Sequence, residues 1–407
     1  MKYVLIIGDG MADFPISSLN GKTPLEVVNK PTIDKLSAQG ILGHARTVPE
    51  GFPPGSDTAI MSIFGCAPSK YYSGRAPLEA AAHGIALKAG DAAMRCNNIS
   101  VSQGENFEDC TIISHSAGTM PEGMGRELVE WLFAHPDFAP LAKKAGMSVN
   151  PAESYRHIAV VEGLDVAGLE LAPPHDHLSE RVGDHLTTAE NGKVLVELMK
   201  AAHKLLKTHP LNLEREKNGQ LPANAIWFWA EGTAAVLPGF YGQYGKSGAV
   251  ISAVPLCHGI AKLVGLDVIE VEGANGELDT NYEGKVQATL EALKTRDFAG
   301  LHFEAPDECT HCGDLSGKLQ AIEWLDSRLT APIIKALEDS GEDFRVLVLS
   351  DHYTISENGM HDETPVPFII YDSRETKGSG LSYTEANSQK GELIDDATKL
   401  MDMLFSK

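Results

Sequence analysis

Apolar runs that stop abruptly at Gly, Asp or His recur along this chain. "KYVLIIGDG" is a five-residue apolar run ended by Gly8 and Asp9, and it predicts a buried, parallel-type strand whose carboxyl end presents Asp9. "FRVLVLSDH" repeats the design, with Val346 to Leu349 followed by Asp351 and His352. "VPFIIYD" and "FAGLHFEAPDE" are two more runs of the same kind. Between them, "GKVQATLEALKTRD" and "GKLQAIEWLDSRLTAPIIKALEDSG" read as helices. "KPTIDKLSAQG" reads as another, with Thr32 placed to cap it, Ile33 and Leu36 on one face, and Gly40 where a helix end favours positive φ.

Apolar strands with polar residues at their carboxyl ends predict an open α/β architecture. Its sheet is mostly parallel and flanked by helices, and its chemistry lies outside those strand ends. The middle of the chain reads differently. Strand-like "AAMRCNNISV" and "TIISHS" lead to the Pro- and His-rich loop "LAPPHDHLSERVGDH" and then to a long helix, "GKVLVELMKAAHKLLKTHP". This predicts a core domain of residues 1–87 and 239–407, interrupted by a smaller inserted α+β domain at 88–238. No internal repeat or low-complexity tract accompanies these patterns.

Composition narrows the picture. A chain of 407 residues exceeds one ordinary domain and can bury a large core. A formal charge of −22 leaves no surplus of Lys and Arg to neutralise phosphates, which argues against nucleic-acid and anionic-membrane partners. A small phosphorylated substrate stays admissible if a local cationic cluster receives it, and a homo-oligomer stays open. The apolar run at the start is too short for a signal-peptide core, and no later run approaches the ~18 apolar residues of a membrane span. Six Cys in such a chain read as cytosolic thiols, so the expected location is cytoplasmic.

The candidate chemistry lies at strand ends. Asp9, Asp307, His311, Asp351, His352 and His361 each follow an apolar strand directly or lie in the loop beyond it. Parallel neighbouring strands would bring all six to one edge. A mixed carboxylate and imidazole set suits Mn²⁺, Zn²⁺ or Mg²⁺, and six ligands suit two metals about 3.5–4 Å apart. Any one of these residues could equally cap a helix or satisfy a loop; the joint pattern carries the reading. Ser56, in "EGFPPGSDTAIMSIFG", opens an apolar helical stretch after Pro-Pro-Gly. It is either an ordinary N-cap or a nucleophile beside N-terminal amides. "EAPDECTHCGD" also holds Cys309 and Cys312, a C-x-x-C that could be a redox pair or half of a zinc site. No second Cys pair exists to complete a zinc site, and Cys257-His258 matches no finger spacing.

Taken in order, "IIGDGMAD", "LNGKTPLEVVNKPTIDKLSAQGILG", "PPGSDTA", "YYSGRAPLEA", "GDAAMRCN", "VEGANGELDTNYEGK", "APDECTHCGD", "SDHYT" and "MHDETPVPFII" make the chain resemble the archaeal-type, cofactor-independent phosphoglycerate mutases of the alkaline phosphatase superfamily. The resemblance runs nearly end to end. It implies an alkaline-phosphatase-like core with an insert that closes over the substrate, and two divalent metal ions with no 2,3-bisphosphoglycerate. It also implies that Ser56 becomes a phosphoserine while 2- and 3-phosphoglycerate interconvert. One metal would be held by Asp9, Ser56, Asp351 and His352, the other by Asp307, His311 and His361. Arg75, Arg95 and Arg156 match substrate-binding positions.

Three positions depart from the family. "SHSAGTM" has Thr119 in place of an Arg, "IWFWAEG" lacks the Arg that usually follows that strand, and "VPLCHG" has His258 where a Lys is usual. Each lost cation removes a charged hydrogen bond of ~1.5–3 kcal/mol to a doubly anionic substrate. The altered half resembles a bacterial branch of the family proposed to act as a homoserine kinase, so phosphoryl transfer to another small alcohol stands as the alternative. A non-catalytic metal-binding protein is the third reading.

Overall fold

The structure is a computed structural model that describes residues 1–118, 120–375 and 378–406. Thr119 therefore lies outside the described residues. The chain begins with β1 (Lys2–Gly8) and β2 (Ile41–Ala45). It continues through β3 (Ala92–Val101), β4 (Ile112–Ser114), β5 (Met147–Asn150), β6 (Arg156–Val161) and β7 (Ala225–Thr233). It returns through β8 (Gly248–Ile251), β9 (Asp267–Ile269), β10 (Phe298–Phe303), β11 (Phe344–Leu349), β12 (Tyr353–Thr354), β13 (His361–Asp362), β14 (Val366–Asp372) and β15 (Leu393–Ile394). Two compact units result: residues 1–72 with 236–407, and residues 73–235.

The larger unit holds an eight-stranded sheet in the order β15-β2-β14-β11-β1-β10-β8-β9. β14 runs antiparallel to both β11 and β2, and the other pairings are parallel. Val4, Leu5, Ile6 and Ile7 of β1 are buried because helices cover both faces of a parallel sheet, which explains the unbroken apolar run. Ile7 is registered against His302 of β10 and against Leu349 of β11. The three strands therefore leave the sheet at one level, delivering Asp9, Glu304 and Asp351 side by side. β14 is antiparallel, so its start lies at this same edge, and the short strand β13 before it carries His361.

Long-range contacts revise the expected helix ends. The helix Pro31–Gln39 has Lys30 at its N-cap, and Thr32 lies inside its first turn rather than capping it. Asp326 caps it instead, accepting from Ile33 N at 2.6 Å and from Thr32 N at 3.3 Å. Asp326 belongs to a π-helical stretch, Leu325–Thr330, that interrupts the long C-terminal helical segment. Gly40 is extended (φ −109°), not left-handed. It is needed for another reason: a Cβ there would approach Ile370 O to 2.6 Å.

The smaller unit is an antiparallel sheet centred on β3, which pairs with β4, β6 and β7, while β5 pairs with β6. Leu195, Leu198, Met199, Ala202 and Leu206 of the helix Lys193–Leu206 recur at helical spacing and are buried in its core. Ala76 and Ala80 of the helix Arg75–Ala82 pack with Ala93 and Ile158 of the strands. That packing places residues 73–87 in the smaller unit, so the boundary falls earlier than the expected 87/88. Among the described residues, no helix is long and apolar enough to cross a membrane.

Replacing Asp326 by Ala is expected to destabilise the protein by about 1–2 kcal/mol, the cost of losing a helix cap. Urea unfolding of the variant beside wild type measures this, and an unchanged midpoint would show that the remote cap carries no weight.

Candidate active site

At the carboxyl edge of β1, β10 and β11, burial and like charge meet. Asp9 and Asp351 are buried beside His352. Asp351 Oδ1 accepts from Gly10 N (3.1 Å) and from His352 N (2.9 Å). Asp9 Oδ2 faces His302 Nε2 at 3.1 Å. The remaining oxygens, Asp9 Oδ1 and Asp351 Oδ2, are buried and have no hydrogen-bond partner among the described residues. They lie 3.4 and 3.3 Å from His352 Nε2. Burial raises the Asp9 carboxyl well above its ordinary value, and the charges of Asp351, Asp307 and Glu304 raise it further.

His352 is fully buried, and burial lowers its pKa against the pull of Asp351, so the ring is neutral at pH 7. Its Nδ1 lies 3.2 Å from the Tyr353 carbonyl, which calls for the Nδ1–H tautomer. Nε2 then presents a lone pair to Ser56 Oγ at 3.1 Å, with two carboxylate oxygens beside it. Two carboxylates, an imidazole nitrogen and a hydroxyl oxygen converging here describe a cation site.

A second cluster adjoins the first. Asp307 and His311 share a face of the helix Ala305–His311, four residues apart. Asp307 Oδ2 lies 3.0 Å from His311 Nε2, Asp307 Oδ1 lies 3.2 Å from His361 Nε2, and the two imidazole nitrogens are 3.0 Å apart. Burial works to raise the Asp307 carboxyl, but the hydrogen bonds from His311 and His361 outweigh it and hold it well below the ordinary range. The same contact raises His311. His361 stacks on His352 with ring centroids 3.9 Å apart, and Thr354 Oγ1 donates to Asp307 Oδ1 at 2.6 Å, so the two clusters share a wall. Gly10 (φ +59°) is required there, because a Cβ would collide with Thr354 Oγ1 and come within 2.7 Å of Asp307 Oδ1.

Ser56 opens the helix Ser56–Ile63 but does not cap it; Gly55 is the N-cap. Its hydroxyl points to His352 instead. The C-x-x-C thiols are both free, and burial pushes Cys309 up to about 11, far from a reactive thiolate. The structure thus gathers all seven strand-end and helix-start candidates and leaves the sulfurs outside.

The expected substrate-binding residues divide. Arg95 is buried, bonded to Glu79 through Nε (2.8 Å) and Nη2, and stacked on Trp229 at 4.5 Å. Arg75 Nε reaches the same Glu79 at 3.0 Å. Burial would raise Glu79, but Arg95 and then Arg75 push it down to about 2. Arg156 donates to Tyr155 Oη at 3.1 Å, and its Nε is buried without a partner among the described residues. With Glu79, His83, Arg126 and Asn150 it lines a cavity of about 440 Å³ in the smaller unit. His258 Nε2 is 2.8 Å from the Ser252 carbonyl, so this imidazole is engaged on backbone rather than offered as a cation. Glu231, at one position lacking a family Arg, accepts from Leu171 N at 2.9 Å and clips a loop.

Three supporting residues lie outside the sequence-derived set. His302 is the one polar side chain in an apolar strand, a visible signal, and it links Asp9 to Ser252 Oγ (3.2 Å). Burial pushes its pKa down to about 4, keeping it neutral. Lys318 and Asp13 are fully buried partners at 2.8 Å, and Lys318 Nζ also donates to Thr354 O at 2.6 Å, which fixes the residue that holds Asp307. Their separation of 305 residues leaves no local signal of the pairing.

A raised carboxyl pKa means that the folded state keeps a proton the unfolded state releases, so its stability contribution is lost as pH rises above the ordinary 3.8. In metal-free protein, Asp9→Asn removes that loss and offers an amide donor to the His352 lone pair. The variant is expected to be ~1–3 kcal/mol more stable than wild type at pH 7, with the gap closing toward pH 4. Mn²⁺ is expected to raise the melting temperature of wild type more than that of the variant. Calorimetry with and without metal across pH tests both, and a variant less stable than metal-free wild type at pH 7 would refute the charge argument.

Comparisons with known proteins identify the family. The family model described as 2,3-bisphosphoglycerate-independent phosphoglycerate mutase matches residues 37–212. A 2,3-bisphosphoglycerate-independent phosphoglycerate mutase from Methanosarcina acetivorans is 46% identical over 96% of this chain and 95% of its own length. Among solved structures, the PH0037 protein from Pyrococcus horikoshii is 30% identical with a TM-score of 0.78, covering 100% of this chain and 98% of its own. The cofactor-independent phosphoglycerate mutase from Thermoplasma acidophilum is 25% identical with a TM-score of 0.67, covering 99% of each chain. By these likenesses the chain belongs to the 2,3-bisphosphoglycerate-independent phosphoglycerate mutase family.

Proposed function

We propose that this protein interconverts 2- and 3-phosphoglycerate through a phosphoserine on Ser56, with no need for 2,3-bisphosphoglycerate. The observation that carries the reading is the Ser56 hydroxyl at 3.1 Å from His352 Nε2, beside the unpartnered oxygens of Asp9 and Asp351. Two divalent metals fit the donor sets: Asp9, Ser56, Asp351 and His352 for one, and Asp307, His311 and His361 for the other. When bound, such metals supply the positive charge that lowers the serine pKa and neutralises the transferring phosphoryl group.

The residues of the chain do the rest. The start of the helix Ser56–Ile63 holds the Ser56 oxygen beside Asp9, Asp351 and His352, from where it attacks phosphorus. The oxygen–phosphorus bond to one glycerate hydroxyl breaks as the bond to Ser56 Oγ forms, and the serine proton passes to the leaving oxygen. After reorientation, the other glycerate hydroxyl attacks the phosphoserine, and the proton returns to Ser56. The amide end of the helix Ser56–Ile63 favours the phosphoryl charge throughout.

A second reading, phosphoryl transfer to another small alcohol such as homoserine, is favoured by one observation. Arg95 is occupied by Glu79 and His258 by Ser252, which reduces the cations left for a doubly anionic substrate.

Exchange between 2- and 3-phosphoglycerate is expected with Mn²⁺ and without bisphosphoglycerate, falling by at least ~1,000-fold in Ser56→Ala. Intact mass spectrometry after incubation with substrate is expected to show one added phosphoryl group on wild type and none on the variant. Absence of exchange in metal-loaded protein, with phosphoryl transfer to homoserine present, would replace the first reading by the second.

A further inference from the structure

The Pro- and His-rich loop of the smaller unit brings three ligand-type side chains together, away from the residues discussed above. His177 Nδ1 lies 3.2 Å from Glu180 Oε2, and His185 Nε2 lies 2.6 Å from the same oxygen. The two imidazoles are stacked, with centroids 3.8 Å apart and planes inclined by 19°. All three ligand atoms fall within 4.8 Å of one another. The backbone that carries them is anchored on β4 and its approach: Ser179 N donates to Ile112 O (2.8 Å), Ile112 N to Glu180 O (3.0 Å) and Val182 N to Cys110 O (2.9 Å).

Charge decides what this arrangement suits. Two stacked imidazolium rings would repel, and one carboxylate offsets one of them. Both rings are turned toward the same carboxylate oxygen, Glu180 Oε2. Arg181, the cation next to Glu180 in the chain, is turned to Asp109 (2.9 Å) and Asp184 (3.3 Å). A divalent ion answers the same geometry by accepting both nitrogen lone pairs and the carboxylate, with the exposed side open to water.

We propose that His177, Glu180 and His185 form a separate metal site in the smaller unit, selective for borderline divalent ions of the Zn²⁺ and Co²⁺ class. Two imidazoles and one carboxylate favour these ions over Mg²⁺, which prefers oxygen ligands. The occupied site clips residues 177–185 into one conformation, a function independent of phosphoryl transfer at Ser56.

The test uses full-length protein stripped of metal and titrated with Co²⁺, comparing wild type with Glu180→Gln and with His185→Asn. Wild type is expected to bind one more Co²⁺ per chain than either variant at micromolar free metal, with a corresponding loss of visible tetrahedral-type absorption in the variants. The difference reads this site whatever number the strand-end residues hold, so failure of the two-metal reading leaves the result interpretable. Phosphoglycerate exchange is expected to be unchanged in both variants, because neither residue belongs to the strand-end clusters or to the helix that opens at Ser56. Equal stoichiometry in all three proteins, or a difference that appears only at millimolar Co²⁺, would overturn the proposal.

Discussion

Three carboxylates held out of water at the ends of neighbouring strands dominate this structure. Asp9, Asp307 and Asp351 are all buried, and imidazoles rather than Lys or Arg fill the space between them. His311 and His361 favour the charged form of Asp307, but the charge on Asp9 is costly unless positive charge is added from outside. The surrounding features serve to keep the arrangement in place. β1 is clamped between β10 and β11, His302 braces Asp9 from behind, and the Lys318–Asp13 pair fixes Thr354 against Asp307. Stability is given up at this edge in return for a poised site.

How much of this is legible in the amino-acid sequence follows from the range of each interaction. Strands that end in Asp or His are a local pattern, and sheet register carries that pattern to one edge. Asp9, Asp351, His352 and the Asp307–His311 pair are therefore gathered by pattern alone. His361 fits too, because a strand running the opposite way begins where its neighbours end. Helix ends are less legible. Thr32 has the right chemistry for a cap, but Asp326 reaches that position from 293 residues away. Gly40 has the sequence context of a left-handed terminus, whereas the actual demand is the closeness of Ile370 O. Propensity arguments see neighbours in the chain and miss neighbours in space.

The cationic side of the chemistry is harder still. Arg95 matches a family position, but its guanidinium is held by Glu79, sixteen residues earlier and on a different element. Arg156 keeps an unpartnered Nε beside a cavity, and His258 is turned to the Ser252 carbonyl. A residue type alone states what charge is available. Its partners state whether that charge is still free to meet a ligand, and those partners come from folding.

The clamped position of β1 also sets an order of events during synthesis. The first strand made waits for both of its neighbours until the residues of β10 and β11 emerge, 295 and 342 positions later. The smaller unit is continuous from 73 to 235 and has no such debt to later chain. Contacts this distant form slowly because loop closure must precede them. On the ribosome, the inserted unit can therefore be complete while the N-terminal strand still has open edges, exposing an apolar "VLII" run to chaperones or to other nascent chains.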